Sequence, residues 1–235
     1  MPETSSTDRG PEQNRHRKTP EVQFPLTISK EEINRLPLLQ YTGEIRLVKT
    51  GDELASALME LRRESLLGFD TETRPAFRKG ESHPPSLLQL AGENAVYLIQ
   101  LNQLNSRQDL DRIYTDGRIV KAGIAIRDDI RKLHDISPFK PRGFFEISDI
   151  TQSLGIINTG LRSLAALFLR CRISKGAQIT NWSRRNLTSA QIRYAATDAW
   201  ISRRLYLFFK QRDLTRGSNE IALDLSGAAQ PPDAG

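Results

Sequence analysis

Apolar residues in this chain fall into short runs broken by polar stretches, and the runs follow two periods. Leu66 to Thr71 is an apolar segment long enough for a buried strand and too short for a helix. Ser86 to Ala91 and Ala95 to Ile99 read as the arms of a hairpin across Gly92-Glu93-Asn94. Glu44 to Val48, Ile119 to Ala122 and Phe144 to Ile147 are shorter strand candidates. Elsewhere the period changes to that of a helix. Leu54, Ala57, Leu58 and Leu61 line one face of a helix opened by a capping box, Thr50 to Glu53. A similar box at Ser29 to Glu32 opens a short helix limited by Pro37. A third, Thr188 with Gln191, opens a long helix that runs to about Lys210. Further helices are predicted over Asp109 to Tyr114, Asp128 to His134 and Leu161 to Leu169. Strands concentrated in the first half, with helices interleaved and then accumulating, predict an α/β domain.

The ends of the chain do not share this pattern. Residues 1–24 and 214–235 are polar and rich in Pro, Ser, Gly or charge, and both are expected to be disordered. That leaves 25–213 as one domain, a size that fills a single substantial core. No apolar run approaches the ~20 residues needed to cross a bilayer. The N-terminus lacks the apolar stretch of a signal peptide, and Glu3, Asp8 and Glu12 argue against an acid-poor transit peptide. Cytoplasm is the expected compartment. Cys171 is the only cysteine, which excludes an internal disulfide and a thiolate metal cage.

Charge changes the picture by its distribution. The net charge is +6, and between Leu161 and Arg212 eleven Lys and Arg residues face a single acid, Asp198. Any one arginine there can be ordinary solvated surface, but the bias as a whole favours a polyanionic partner such as a phosphate backbone.

Four acids stand out against this background. Asp70 and Glu72 in Phe69-Asp70-Thr71-Glu72 are two apart, so on a strand they share one face about 6 to 7 Å apart. Asp128 and Asp129 follow the strand-like KAGIAI and open a helix, where the ordinary role of an Asp is to cap it. Tyr194 and Asp198 are four apart and share a helix face. A core aromatic is the ordinary fate of such a Tyr. Asp198, among Ala195, Ala196, Ala199 and Trp200, has no capping duty and needs a partner. Carboxylates that converge repel one another, and hard divalent cations relieve that repulsion.

These motifs, in this order and spacing, resemble the DEDD exonucleases of the tyrosine subtype, the group that includes the nuclease domain of ribonuclease D and the exonuclease domain of the Werner syndrome helicase. The similarity extends from about Gly43 to Arg212 and is strongest from Leu161 through Lys175, Gln178, Asn181-Trp182 and Thr188 to Tyr194-Ala195-Ala196-Thr197-Asp198. It implies an RNase H-like (DnaQ-like) fold, a mixed, mainly parallel five-stranded sheet flanked by helices. It implies a metal-dependent 3′-5′ exonuclease acting on DNA or RNA with a free 3′ end and releasing nucleoside 5′-monophosphates. Asp70, Glu72, Asp129 and Asp198 would hold two divalent ions, Mg²⁺ or Mn²⁺, and Tyr194 would orient the attacking water. Asp129 is preferred to Asp128 because the family's acid falls two residues before the position of Arg131. Arg193 stands where the histidine subtype carries its His.

Nothing in the sequence reads as a helicase or as a further helical nucleic-acid-binding domain. Substrate capture is therefore expected from the core, from a homo-oligomer or from the basic tails. Thr71, Arg78, Lys79, Arg184 and Arg185 are the candidate nucleic-acid contacts, whereas Trp182 is expected in the core and the three histidines have no metal-site spacing. Two other classes compete. Asp70-Thr71-Glu72-Thr73, with Lys121 and Asp128-Asp129, resembles the pattern of haloacid-dehalogenase-like phosphatases, which use a nucleophilic Asp. That reading leaves Tyr194 and Asp198 without a task. The other class is a catalytically silent nucleic-acid-binding relative, which all four acids and the tyrosine argue against.

Overall fold

The computed structural model describes residues 24–76, 78, 80–215 and 221. Of the expected tails, 1–23, 216–220 and 222–235 lie outside the described residues. Among the described residues there are six strands: β1 (Glu44–Val48), β2 (Leu66–Thr73), β3 (Pro85–Ala91), β4 (Ala95–Gln100), β5 (Val120–Gly123) and β6 (Phe144–Glu146). They form one sheet in the order β1-β4-β3-β2-β5-β6. β2, β3 and β4 run antiparallel to their neighbours among themselves, while β1 on β4, β5 on β2 and β6 on β5 are parallel. Each apolar run expected to be a strand is one. The resemblance implied five strands, and the sheet has six, because the short β6 is fully buried and pairs with β5 over three residue pairs.

The helices are α1 (Lys30–Arg35), α2 (Gly51–Leu61), α3 (Asp111–Tyr114), α4 (Arg127–Ile136), α5 (Ile147–Ser153), α6 (Leu161–Leu169) and α7 (Ser189–Lys210). All three capping boxes form with both reciprocal bonds, at Ser29/Glu32, Thr50/Glu53 and Thr188/Gln191. The helix expected over Asp109 to Tyr114 is split, a 3₁₀ turn at Gln108–Leu110 preceding α3. α5 has no periodic signature in ISDITQS, and is started by the Glu146 carboxylate, which accepts from the Ser148 N–H at 3.1 Å.

Strand alternation divides the core. Leu67 and Phe69 of β2, with Leu88 and Leu90 of β3, face α2, α3 and α4. Leu87 and Ala91 of β3 face the other way, onto Ala195, Ala196 and Ala199 of α7 and the fully buried Trp182. Near the chain's end, Ile221 is buried and its N–H bonds the Phe144 carbonyl at 3.1 Å. There an apolar side chain lies against the edge of β6.

Two glycines set how closely helices approach β2 and β5. A Cβ on Gly68 would lie 1.9 Å from the Ala199 carbonyl oxygen of α7, and one on Gly123 would lie 2.6 Å from the Phe69 oxygen. Only glycine permits such approach to backbone.

Candidate active site

Asp70 and Glu72 emerge from β2 on the same face as Gly68, toward α7. Since Ala199 sits against Gly68, the preceding residue Asp198 is carried to Asp70, where it is only 5% exposed. Asp129 arrives from the other side. The chain leaves β5 at Gly123, passes Ala125 in the left-handed region (φ 58°) and enters α4. There the Thr71 hydroxyl donates to Asp129 Oδ1 at 2.8 Å, tying α4 to the end of β2. Thr71, expected to touch nucleic acid, uses its hydroxyl proton inside the site.

The electrostatics report the convergence. Burial, then the charges of Asp198 and Asp129, push the Asp70 carboxyl well above the usual carboxylate range. Glu72 is pushed up to about 10 by burial and by Asp70, Asp198 and Asp129. Burial raises Asp129 to about 6 against the opposing Thr71 bond. Asp198 rises to about 7 through burial, with the Tyr194 hydroxyl bond working to lower it. Burial and the neighbouring carboxylates hold the Tyr194 phenol far above its ordinary value, so it stays protonated and donates to Asp198. Tyr194 and Asp198 also line two adjoining cavities of about 220 and 210 Å³, one walled by Arg193 and Thr197, the other by Arg162, Lys175 and Gln178.

Residues 45–212 match the model of a family described as 3′-5′ exonuclease. The chain belongs to that family, within the DEDD superfamily. It is 28% identical to ribonuclease D of Gluconacetobacter diazotrophicus over 79% of this chain and 47% of that protein. It is 29% identical to a 3′-5′ exonuclease of Arabidopsis thaliana over 80% of this chain and 70% of the relative. Among solved structures, the exonuclease domain of Aedes aegypti Nibbler superposes with a TM-score of 0.67 at 23% identity, covering 76% of this chain and 94% of that one. Escherichia coli RNase D gives a TM-score of 0.64 at 22% identity, covering 72% and 46%. These likenesses establish the RNase H-like fold. The chain spans about half or less of the length of the first curated relatives it matches.

Within this exonuclease domain the donor set is all carboxylate oxygen, the chemistry of a hard divalent site. The carboxylates lie near enough to raise one another, yet among the described residues no three His, Cys, Asp or Glu side chains are gathered around one point as metal ligands. Their mutual repulsion is what a cation would relieve, and in that respect the residues fit a divalent ion.

One expectation is corrected here. Neither Asp128 nor Asp129 caps α4, whose N-cap is Ile126 without a side-chain bond. The amides at that turn go to Glu146, which accepts from the Ala125 and Ile126 N–H groups, each at 2.8 Å, while Asp128 is exposed and pairs with Arg131. Freed from capping, Asp129 turns into the site. Glu146 was not foreseen as a site residue, although an acid inside the apolar Phe144-Phe145-Glu146-Ile147 was a readable signal. The phosphatase pattern, already disfavoured by the sequence, gains nothing from the structure. Lys121 is fully buried, and its ammonium donates to the Asp116 and Ile119 carbonyls before β5, at the end of the strand opposite the one that leads to Asp129. It cannot serve a nucleophilic Asp70.

Of the expected nucleic-acid contacts, Thr71, Arg184 and Arg185 lie near this sheet end. β3 begins beside the end of β2, with Pro85 opposite Thr73, and Ser86 bonds Ser183 at 2.8 Å. A cleft of about 350 Å³ there is lined by Arg74, His83, Asn102, Arg107 and Ser183. Arg184 and Arg185 follow on an exposed turn held by a 3.1 Å bond from Gln100 Nε2 to the Arg184 carbonyl. Arg78 is exposed, and Lys79 lies outside the described residues.

Proposed function

We propose that this chain is a 3′-5′ exonuclease of the tyrosine subtype that removes nucleoside 5′-monophosphates from the 3′ end of DNA or RNA by a two-metal-ion reaction. The observation that carries the reading is the meeting of Asp70, Glu72, Asp129 and Asp198 with Tyr194 at one end of the sheet, inside the segment that matches the exonuclease family. Asp70, Glu72 and Asp198 would hold one ion, and Asp70 with Asp129 the second. Bound ions would supply a readily deprotonated water and neutralise charge on the transferred phosphate.

The protein's own groups supply the rest. The Tyr194 phenol, held protonated, is a poor base and acts by orienting an oxygen beside Asp198. Thr71 fixes Asp129, and Glu146 fixes the turn that delivers it. The cations Arg74, Arg107, Arg184 and Arg185 at the same sheet end give a phosphate backbone an approach to the carboxylates. The test is stepwise shortening of a 5′-labelled strand with Mg²⁺ or Mn²⁺, on matched DNA and RNA. Laddering that stops in EDTA and in Asp70→Ala is expected. Full activity in Asp70→Ala, or release of phosphate from a small monoester without laddering, refutes the reading.

A further inference from the structure

We propose that Gln89 is a positioning residue for Asp70 in the metal-loaded site, where its side-chain amide, unpaired in the metal-free fold, would hold the carboxylate oxygen that the backbone leaves unheld. The inference rests on the exonuclease reading for its consequence and on the sheet geometry for its content.

Gln89 lies in the middle of β3 and is fully buried. Its register partner across the antiparallel pair is Asp70. Directly opposed residues send their side chains to the same face with Cβ atoms about 4.5–5.5 Å apart, within reach of a glutamine amide. That face is the one α7 covers, since Leu87 and Ala91 on either side of Gln89 pack on Ala195, Ala196 and Ala199. Neither Nε2 nor Oε1 of Gln89 has a hydrogen-bond partner, and among the described residues no other buried side chain has both polar ends unpaired.

An orphaned buried polar group costs about 1–3 kcal/mol. Apolar side chains fill the positions around it, and one would fill this one too. Comparison with the other buried glutamines sharpens the point. Gln100 donates to the Arg184 carbonyl at 3.1 Å, and Gln191 donates to Thr180 Oγ1 and the Asn181 carbonyl at 3.0 and 3.2 Å. Those two fasten loops. Gln89 fastens none and instead faces a carboxylate. On the Asp70 side, Oδ1 already accepts the Thr71 N–H at 2.9 Å. An amide N–H from the register partner across the strand pair lies unpaired on the same face, and on metal loading it would take the second oxygen, fixing the carboxylate plane in the way outer groups orient metal-binding carboxylates.

The test uses Gln89→Leu and Gln89→Met in the full chain, with three measurements. In EDTA, both variants are expected to melt no lower than wild type, because an unpaired amide has been removed. Mn²⁺ titrated calorimetrically without nucleic acid should bind more weakly, and kcat should fall with KM within about twofold, each loss on the order of 10–100-fold. Unchanged Mn²⁺ affinity and kcat in both variants would overturn the proposal. So would a large loss of metal-free stability in both, which makes Gln89 structural. If the wild type shows no nuclease activity, the functional reading fails, while the Mn²⁺ comparison still decides the role of Gln89.

Discussion

Replacing Asp198 with Asn should make the metal-free protein more stable at neutral pH and abolish its nuclease activity. Asp198 is 5% exposed, and its carboxyl titrates near 7 in the folded protein instead of 3.8. Below pH 3.8 folded and unfolded chains both carry the proton, and the group is neutral to stability. As the pH rises the unfolded chain ionises first. The folded state, binding more protons, loses stability until the pH passes about 7, and the loss is complete above it. At about 1.4 kcal/mol per pH unit, the interval corresponds to about 4 kcal/mol at pH 8, an upper bound because Asp70 and Glu72 titrate with it. Asn keeps the shape and removes the charge, but accepts a weaker bond from Tyr194, which costs about 1 kcal/mol.

The expected gain is therefore about 2–3 kcal/mol at pH 8, fading to nothing at pH 4. For a chain of this size that is roughly 5–10 °C in Tm. Urea melts of wild type and Asp198→Asn in EDTA at pH 4, 6 and 8 read the difference directly. Adding Mn²⁺ should then stabilise wild type more than the variant. A variant no more stable than wild type at pH 8, or a gain of equal size at pH 4, refutes the electrostatic account of this site.

Gly68→Ala should destabilise by at least about 1–3 kcal/mol and depress activity, because its Cβ would meet the Ala199 carbonyl at 1.9 Å and push α7 off β2; thermal melts and laddering check both. Tyr194→Phe should lower kcat by on the order of 100-fold without changing the shape of the pH profile from 6 to 9, since the phenol does not ionise in that range. Charge reversal at Arg184 and Arg185 should raise KM rather than lower kcat. It should also flatten the salt dependence of single-strand binding, by about 0.7 in log-log slope for every phosphate that is no longer neutralised.

What was legible in the sequence depended on how far each signal reached along the chain. Capping boxes close within four residues, and all three form as predicted. Strands announce themselves by apolar runs, so all six were visible, and only the resemblance suggested one fewer. α5 was not visible, being seven residues long and started by a side chain from the strand before it. The duty of Asp129 could not be read locally either. Capping is the right expectation for an Asp in a first turn, and it fails because Glu146, seventeen residues further on, satisfies those amides. Gln89 read as an ordinary strand residue, since the facts that single it out are its register with Asp70 and its lack of partners.

The same reasoning explains why small residues matter as much as acids here. An aspartate on a helix reaches a strand's carboxylate only if the helix axis comes unusually close to the sheet. Gly68 on β2 and Ala195, Ala196 and Ala199 on α7 remove the side chains that would hold the layers apart. Gly123 does the same where β5 hands over to α4, letting the turn that delivers Asp129 approach the Phe69 backbone. The cluster is thus assembled by what is missing at these junctions, against burial that raises each carboxyl it gathers and repulsion that raises Asp70 and Glu72 further. A layer of larger side chains would relieve that repulsion and lose the site. Close packing therefore stabilises the fold and, at the same place, forces together the charges that give it chemistry.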